Sequence, residues 1–241
     1  MYGSTRAYDM RCERIVSTFL DTYFYSMYDV STERVYRREL QLNGADVIVD
    51  GKMYIDEKLK LYPLNEFITC LAFELQFYTS GRRLVEGWFL KDDSITTHYN
   101  IVTAFLYGKK SKLESMDDIE HLNLLFVSKK RLKEYVFSTL SQEGLERDVD
   151  ELRAREVGNC ARGKLRKMYK HGKFWLTRSV NLAEEPINLS VPRERLSSLQ
   201  GSVEFCVSRF GVQKMVNSNA PIVLKMDMDG TLKSANDVVF A

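Results

Sequence analysis

A short hairpin over residues 44–60 constrains the fold of this chain more than any other stretch. The run Val47–Val49 is β-branched, and the Asp50-Gly51 pair that follows it is a strong signal for a two-residue hairpin turn. An extended pattern then resumes over Met53–Leu59. We therefore predict two antiparallel strands joined by a tight turn.

Three charged side chains are expected to meet on this hairpin. Asp56 and Lys58 are two residues apart in the second strand, so their side chains leave the same face of the sheet. Asp46 begins the first strand and is expected to lie beside them. Two carboxylates and an ammonium cannot form a dry core, but they can hold a divalent cation and steady an anion. A surface ion pair on an exposed sheet face is the simpler interpretation of the same pattern.

The remaining periodicity predicts an α/β (α+β) domain, in which a mixed central β-sheet is flanked by helices. Helices are predicted over 10–25, 129–140 and 146–156 (the last of them exposed), with a further helix beginning at Pro192. Strands are predicted over 35–42, 69–78, 84–90, 96–106, 122–127, 174–180 and 187–191. We expect one domain over 1–241, in which residues 141–173 are a mobile or nucleic-acid-contacting insertion.

Composition points to an ordinary globular protein. Hydrophobic residues make up 44% of the 241 residues and charged residues 28%, and the net charge of +2 does not by itself indicate a polyanionic partner. The four cysteines are scattered without a CxxC pair, which argues against a structural zinc site. No apolar run approaches the roughly 20 residues of a membrane helix, so we expect a cytoplasmic protein with no membrane partner.

The hairpin and the elements around it resemble the PD-(D/E)xK nuclease superfamily, which has the restriction-endonuclease-like fold. Asp46 matches the first acid of the motif, with Ala45 where the family often has proline, and Asp56-Glu57-Lys58 matches the (D/E)xK element. Glu13, on the predicted first helix, is in the place where many members carry an extra acidic ligand. The resemblance covers roughly residues 10–106. The chain also resembles small phage and mobile-element proteins assigned to this superfamily.

The resemblance implies a catalytic site with a bound cation. Asp46 and Asp56 would hold Mg²⁺ or Mn²⁺, with Glu13 completing the ligand set, and Lys58 would orient the attacking water or stabilise negative charge in the transition state. Glu57 is expected to point away from Asp56 and to offer only its backbone carbonyl. Glu13 also has a plainer interpretation, as an acid that favours the helix dipole.

Two further sets of residues are candidates for contact with a substrate. Glu74 and Gln76 share the polar face of the strand predicted over 69–78, and they are candidates for contact with the metal or with nucleic acid. A basic stretch interleaved with aromatic residues suits phosphate contact and base stacking. Its candidate nucleic-acid-binding residues are Arg162, Lys164, Arg166, Lys167, Lys170 and Lys173.

By resemblance, the expected function is metal-dependent hydrolysis of phosphodiester bonds in DNA by an endo- or exonuclease, with a homodimer as one form it could take. Two alternatives stay open. The first is a catalytically silent binding or assembly module of a phage or mobile element, which keeps the nuclease fold without its chemistry. The second is a phosphohydrolase that acts on small phosphate esters.

Overall fold

The computed structural model describes residues 6–27, 31–61, 64–91, 94–154, 164–168, 174–179 and 182–215. Within them, the α-helices are α1 (Arg6–Tyr23), α2 (Arg38–Leu42), α3 (Lys129–Thr139), α4 (Gln142–Ala154) and α5 (Arg193–Ser197). The strands are β1 (Thr32–Arg34), β2 (Val47–Val49), β3 (Met53–Lys60), β4 (Cys70–Tyr78), β5 (Leu84–Glu86), β6 (His98–Leu106), β7 (Ile119–Ser128), β8 (Lys164–Met168), β9 (Trp175–Ser179), β10 (Ile187–Pro192), β11 (Val203–Ser208) and β12 (Gly211–Met215). Short 3₁₀ turns cover Tyr25–Met27, Tyr107–Lys109 and Met116–Asp118.

The strands form two separate sheets. One has seven strands in the order β1-β2-β3-β6-β7-β11-β12, and the other has five in the order β5-β4-β10-β9-β8. The seven-stranded sheet is mixed, because β3 and β6 are parallel while its other neighbours are antiparallel. The predicted class, mixed α and β structure with a central mixed sheet and flanking helices, is confirmed.

The chain divides into two compact units that correspond to the two sheets. The first unit comprises Met1–Ile68, Ile95–Arg131 and Ser197–Ala241, and it contains the seven-stranded sheet. The second unit comprises Thr69–Ser94 and Leu132–Leu196, and it contains the five-stranded sheet. Neither unit is a continuous stretch of the sequence.

The core of the first unit lies between α1 and one face of the seven-stranded sheet. The apolar side of α1 presents Cys12, Val16, Phe19 and Leu20, a spacing that places them on one helical stripe. The sheet contributes alternate residues of its central strands, since every second side chain points toward the helix. They include Val102, Ala104, Leu122, Leu124, Phe126, Phe205 and Val207.

The predicted hairpin is confirmed as β2 and β3, and its turn has the expected backbone. Asp50 and Gly51 both have positive φ values, of 48° and 64°. The Lys52 amide donates to the Val49 carbonyl over 3.1 Å and closes the turn. Its two central residues therefore adopt the left-handed region, which Asp and Gly enter more readily than most other residues.

In the second unit, close packing explains why the return strand after β4 is shorter than predicted. The strand predicted over 84–90 ends at Glu86. A side chain at Gly87 would place its Cβ only 2.4 Å from the backbone oxygen of Glu74, so only glycine fits there. The chain turns at this close approach, and Phe89 packs its ring 5.1 Å from that of Phe73.

Two sequence-based predictions were wrong. The segment predicted as a strand over 35–42 instead has a short connection over 35–37 followed by α2. Val35 and Leu40 turn inward to pack with Ala45 and Ile48, while the other side chains of the segment stay outside. Helix α4 was predicted to be exposed, but its residues Leu145, Val149 and Leu152 form a buried stripe. Strands β11 and β12 were not predicted.

Candidate active site

The candidate site lies just before the start of β2, where β3 continues beyond its pairing with β2. Strand β2 pairs with β3 only as far as Ile55, whereas β3 runs on to Lys60 beside β6. The Asp46 amide donates to the Ile55 carbonyl over 2.8 Å, and the Asp46 Oδ2 atom accepts from the Glu57 amide over 2.8 Å. The Asp46 carboxylate therefore accepts the hydrogen bond that a backbone carbonyl would accept if the pairing of the two strands continued. This bond holds the carboxylate at the edge of β3.

Asp56 and Lys58 extend from β3 on one face, as their spacing predicts. The Lys58 Nζ atom lies 2.8 Å from Asp56 Oδ2. The Asp56 side chain is 8% exposed and that of Lys58 is 30% exposed, so the carboxylate lies below the ammonium. Tyr99, on β6, is the register partner of Asp56 and is fully buried. The pKa of its hydroxyl is raised by burial and by the Asp56 charge.

The Asp56 carboxyl is less easily ionised than an ordinary carboxyl. Burial raises its pKa to about 6, the charge of Lys58 opposes that rise, and Asp46 adds to it through both its charge and a hydrogen-bond contact. Asp46 and Asp56 therefore lie close enough for their charges to repel one another. A cation between them would relieve that repulsion.

Glu13 interacts electrostatically with the site but is less closely associated with it than Asp46, Asp56 and Lys58 are with one another. It is on the exposed side of α1. Its pKa is raised first by partial burial, then by the negative charges of Asp46 and Asp9, and Lys58 lowers it. The structure thus brings Asp46, Asp56 and Lys58 together, with Glu13 near enough to respond to two of them.

Glu57 points to the opposite face of β3, as predicted, and it belongs to a buried network. It accepts a hydrogen bond from the Tyr25 hydroxyl over 2.9 Å and forms an ion pair with Arg34. Arg34 also pairs with Asp21 of α1 at 2.6 Å and donates to the Ser17 carbonyl over 3.3 Å. The network ties α1 and β1 to β3 directly behind the candidate site. Sequence reasoning missed it, because nothing local to Arg34 indicates a partner on β3.

The donor chemistry of the site suits a hard divalent cation. Among the residues the structure describes, no group of three or more His, Cys, Asp or Glu side chains is placed to hold a metal ion. Magnesium, however, keeps several waters and is commonly bound through one or two carboxylates. Asp46 and Asp56 fit that requirement, and Glu13 is too loosely associated with them to count as a third ligand in this conformation.

Two of the other predicted contact residues belong to the second unit. Glu74 and Gln76 are on β4 of the second unit, where Gln76 Oε1 accepts from Arg153 Nε over 2.9 Å and the Glu74 carbonyl accepts from the Phe89 amide. Strand β8 carries Lys164, Arg166 and Lys167, but the structure describes only the backbone of these residues. The remaining candidates lie outside the described residues: Arg162, Lys170 and Lys173.

Comparisons with protein-family models, with curated proteins and with solved structures found no match for this chain. In the part of the chain that the structure describes, no helix has the length and apolar character required to cross a bilayer.

Proposed function

We propose that this chain is a metal-dependent nuclease of the PD-(D/E)xK type that hydrolyses phosphodiester bonds in DNA. The observation that supports the proposal is the meeting of Asp46, Asp56 and Lys58 at the edge of β3, with Glu13 nearby. The order of elements is α1, β1, α2, the acid-bearing hairpin β2–β3, and then further strands. A helix and a strand therefore precede the hairpin, as in the order on which the resemblance rests, although α2 occupies most of the segment where that strand was predicted.

Each residue has a distinct role in this proposal. Asp46 and Asp56 would hold Mg²⁺ or Mn²⁺, and a bound cation would supply positive charge to a phosphoryl oxygen. Lys58 is held by Asp56 and is partly exposed, so its ammonium can orient a water or stabilise the negative charge that develops on the phosphate. Glu13 would approach the cation as a water-mediated or additional ligand.

A binding or assembly module without catalysis is the second candidate. The observation that favours it is the 2.8 Å contact between Lys58 and Asp56, because an internal ion pair already compensates one of the two carboxylates. Titration calorimetry with Mg²⁺ or Mn²⁺ separates the two candidates. Binding that disappears in Asp46→Asn and Asp56→Asn variants supports the nuclease, whereas the absence of cation binding in the native chain supports the module.

The direct test is cleavage of supercoiled plasmid and of linear DNA, with added Mg²⁺ or Mn²⁺ and with EDTA. We expect Asp46→Asn and Asp56→Asn to reduce the rate to background. Loss of one preorganised charge-stabilising group costs on the order of hundredfold, so we expect at least that loss for Lys58→Ala.

Matched controls lie on the same hairpin. Lys60 is two residues beyond Lys58 on the same strand face, so Lys60→Ala removes an equivalent charge outside the site. Asp50 is in the turn, where its Oδ1 accepts from the Ser31 amide over 2.9 Å, and asparagine preserves that bond in Asp50→Asn. Full cleavage by Asp56→Asn or Lys58→Ala, or equal losses in the controls, would refute the assignment.

A further inference from the structure

An exposed aromatic residue followed by two arginines lies beside the candidate site. Tyr36 is 84% exposed, and Arg37 and Arg38 are also exposed. Arg37 is the N-cap residue of α2, but its side chain makes no capping hydrogen bond. Among the described residues, none of these three side chains is held by a hydrogen bond or an ion pair.

The backbone that carries Tyr36 is firmly held. The Val35 amide donates to the Asp46 carbonyl over 2.9 Å, and the Val35 carbonyl accepts from Gln41 Nε2 over 2.9 Å. Val35 itself is 3% exposed. Tyr36 is the next residue after this bonded pair, so strand spacing places its Cα roughly 6 Å from that of Asp46. The backbone at Tyr36 is therefore held close to Asp46, while its side chain projects into solvent.

These three side chains have the chemistry of a nucleic-acid contact. An exposed aromatic ring stacks on an unpaired base, and arginines contact the phosphates on either side of it. Glu39, also exposed, is the one acid in the sequence between Val35 and Leu42, so two positive charges face one negative charge here.

We propose that Tyr36, Arg37 and Arg38 form a docking platform for a nucleic-acid strand with an unpaired base, next to the Asp46–Asp56–Lys58 site. The inference rests on the proposed nuclease function and deepens it, because it assigns the substrate class: single strands, or duplexes with an unpaired end or flap.

The chain offers a natural comparison for this platform. Phe210 is 90% exposed in the turn between β11 and β12, and an arginine precedes it. That residue, Arg209, is already paired with Asp117 at 2.6 Å, so its charge is compensated within the protein. Exposed aromatic residues are common singly on protein surfaces, and Phe210 represents that background.

The test is fluorescence anisotropy with a labelled single-stranded oligonucleotide and with a duplex of the same sequence, both in EDTA so that no cleavage occurs. Stacking on one base is worth about 1–3 kcal/mol, so we expect Tyr36→Ala to weaken single-strand binding about tenfold. Tyr36→Phe keeps the ring and should bind as the native chain does. Phe210→Ala should also bind as the native chain does.

Salt dependence tests the arginines. Each phosphate contact to a single strand contributes about 0.7 to the slope of log affinity against log salt, so Arg37→Ala and Arg38→Ala should each reduce the slope by about that amount. Lys130→Ala, which removes an exposed charge on α3, should leave the slope unchanged.

The outcomes separate the platform from the nuclease. If the native chain binds the single strand no better than the duplex, or if Tyr36→Ala and Phe210→Ala behave alike, the platform is overturned even when cleavage depends on Asp56. If Tyr36→Ala weakens binding while the native chain cleaves nothing with any cation, the platform stands and the nuclease proposal fails. Binding of neither nucleic acid also overturns the platform.

Discussion

At the scale of the residue, Asp56 has a carboxyl whose ionised form opposes folding. Burial, opposed by Lys58 and reinforced by Asp46, raises its pKa from 3.8 to about 6. The folded chain therefore binds this proton more tightly than the unfolded chain does. Stability is lost as the pH rises between those two values, and the loss is complete above about pH 6. A residue whose ionised form lowers the stability of the ligand-free protein in this way is typical of a functional site.

We therefore predict that Asp56→Asn stabilises the metal-free protein at neutral pH. One pKa unit corresponds to about 1.4 kcal/mol, so the gain in free energy of unfolding is at most about 3 kcal/mol above pH 6, and it disappears near pH 4. Asparagine keeps the size of the side chain and an oxygen that accepts from Lys58. Urea unfolding across this pH range, with EDTA present, measures the difference.

Asp118 provides a control, because its pKa is shifted in the opposite direction from that of Asp56. The hydrogen bond from Lys110, supported by the Glu114 and Ser115 amides, lowers its pKa to about 2. Asp118→Asn should therefore destabilise the protein at neutral pH, and the difference should shrink as the pH falls below about 4. If the two substitutions follow the same pH trend, the electrostatic account of Asp56 is wrong.

At the scale of the element, local patterns predicted the parts of the fold that local chemistry determines. The turn at Asp50-Gly51, the β-branched run before it and the same-face placement of Asp56 and Lys58 follow from backbone geometry alone. The segment after Val35 was misassigned, because its apolar residues have a spacing that suits either a strand or a short helix. The packing of Val35 and Leu40 against Ala45 and Ile48, residues from later in the chain, decides between them.

The buried network behind the site could not be predicted, because its partners come from separate elements. Arg34 is on β1 and Glu57 on β3, with side-chain exposures of 13% and 9%, and the Tyr25 hydroxyl completes the set. Burial leaves the pKa of Glu57 raised, with the Arg34 charge opposing the rise. Arg34 and Glu57 can therefore be buried as charged groups only because each is paired with the other.

We predict that Arg34→Met destabilises the protein by about 3 kcal/mol, since it leaves Glu57 buried without its cation. The double variant Arg34→Met with Glu57→Gln should recover at least half of that loss, because glutamine is neutral and still accepts from Tyr25. Urea unfolding of both single variants and the double variant completes the cycle. Additive losses would show that the two charges are not coupled.

At the scale of the whole molecule, the chain forms two units from interleaved segments. It passes between them at four points, after residues 68, 94, 131 and 196. The seven-stranded sheet consequently depends on β11 and β12, which come from the end of the described sequence, and β11 pairs with the interior strand β7. Closure of this sheet requires contacts between residues far apart in sequence, which periodicity within short windows does not encode.

This interleaving predicts that a chain ending at Arg131 does not fold, although it contains the whole candidate site. Val203 and Phe205 of β11 pair with Phe126 and Leu124 of β7. Without them β7 becomes an apolar edge strand, which invites aggregation. A chain ending at Met215 keeps all the described strands and is the matched control. Gel filtration and near-ultraviolet circular dichroism should show aggregation and loss of fixed packing in the shorter chain only. A monomeric, cooperatively unfolding protein ending at Arg131 would mean that the hairpin half of the sheet is stable by itself, and that β11 and β12 cover it without being required for its fold.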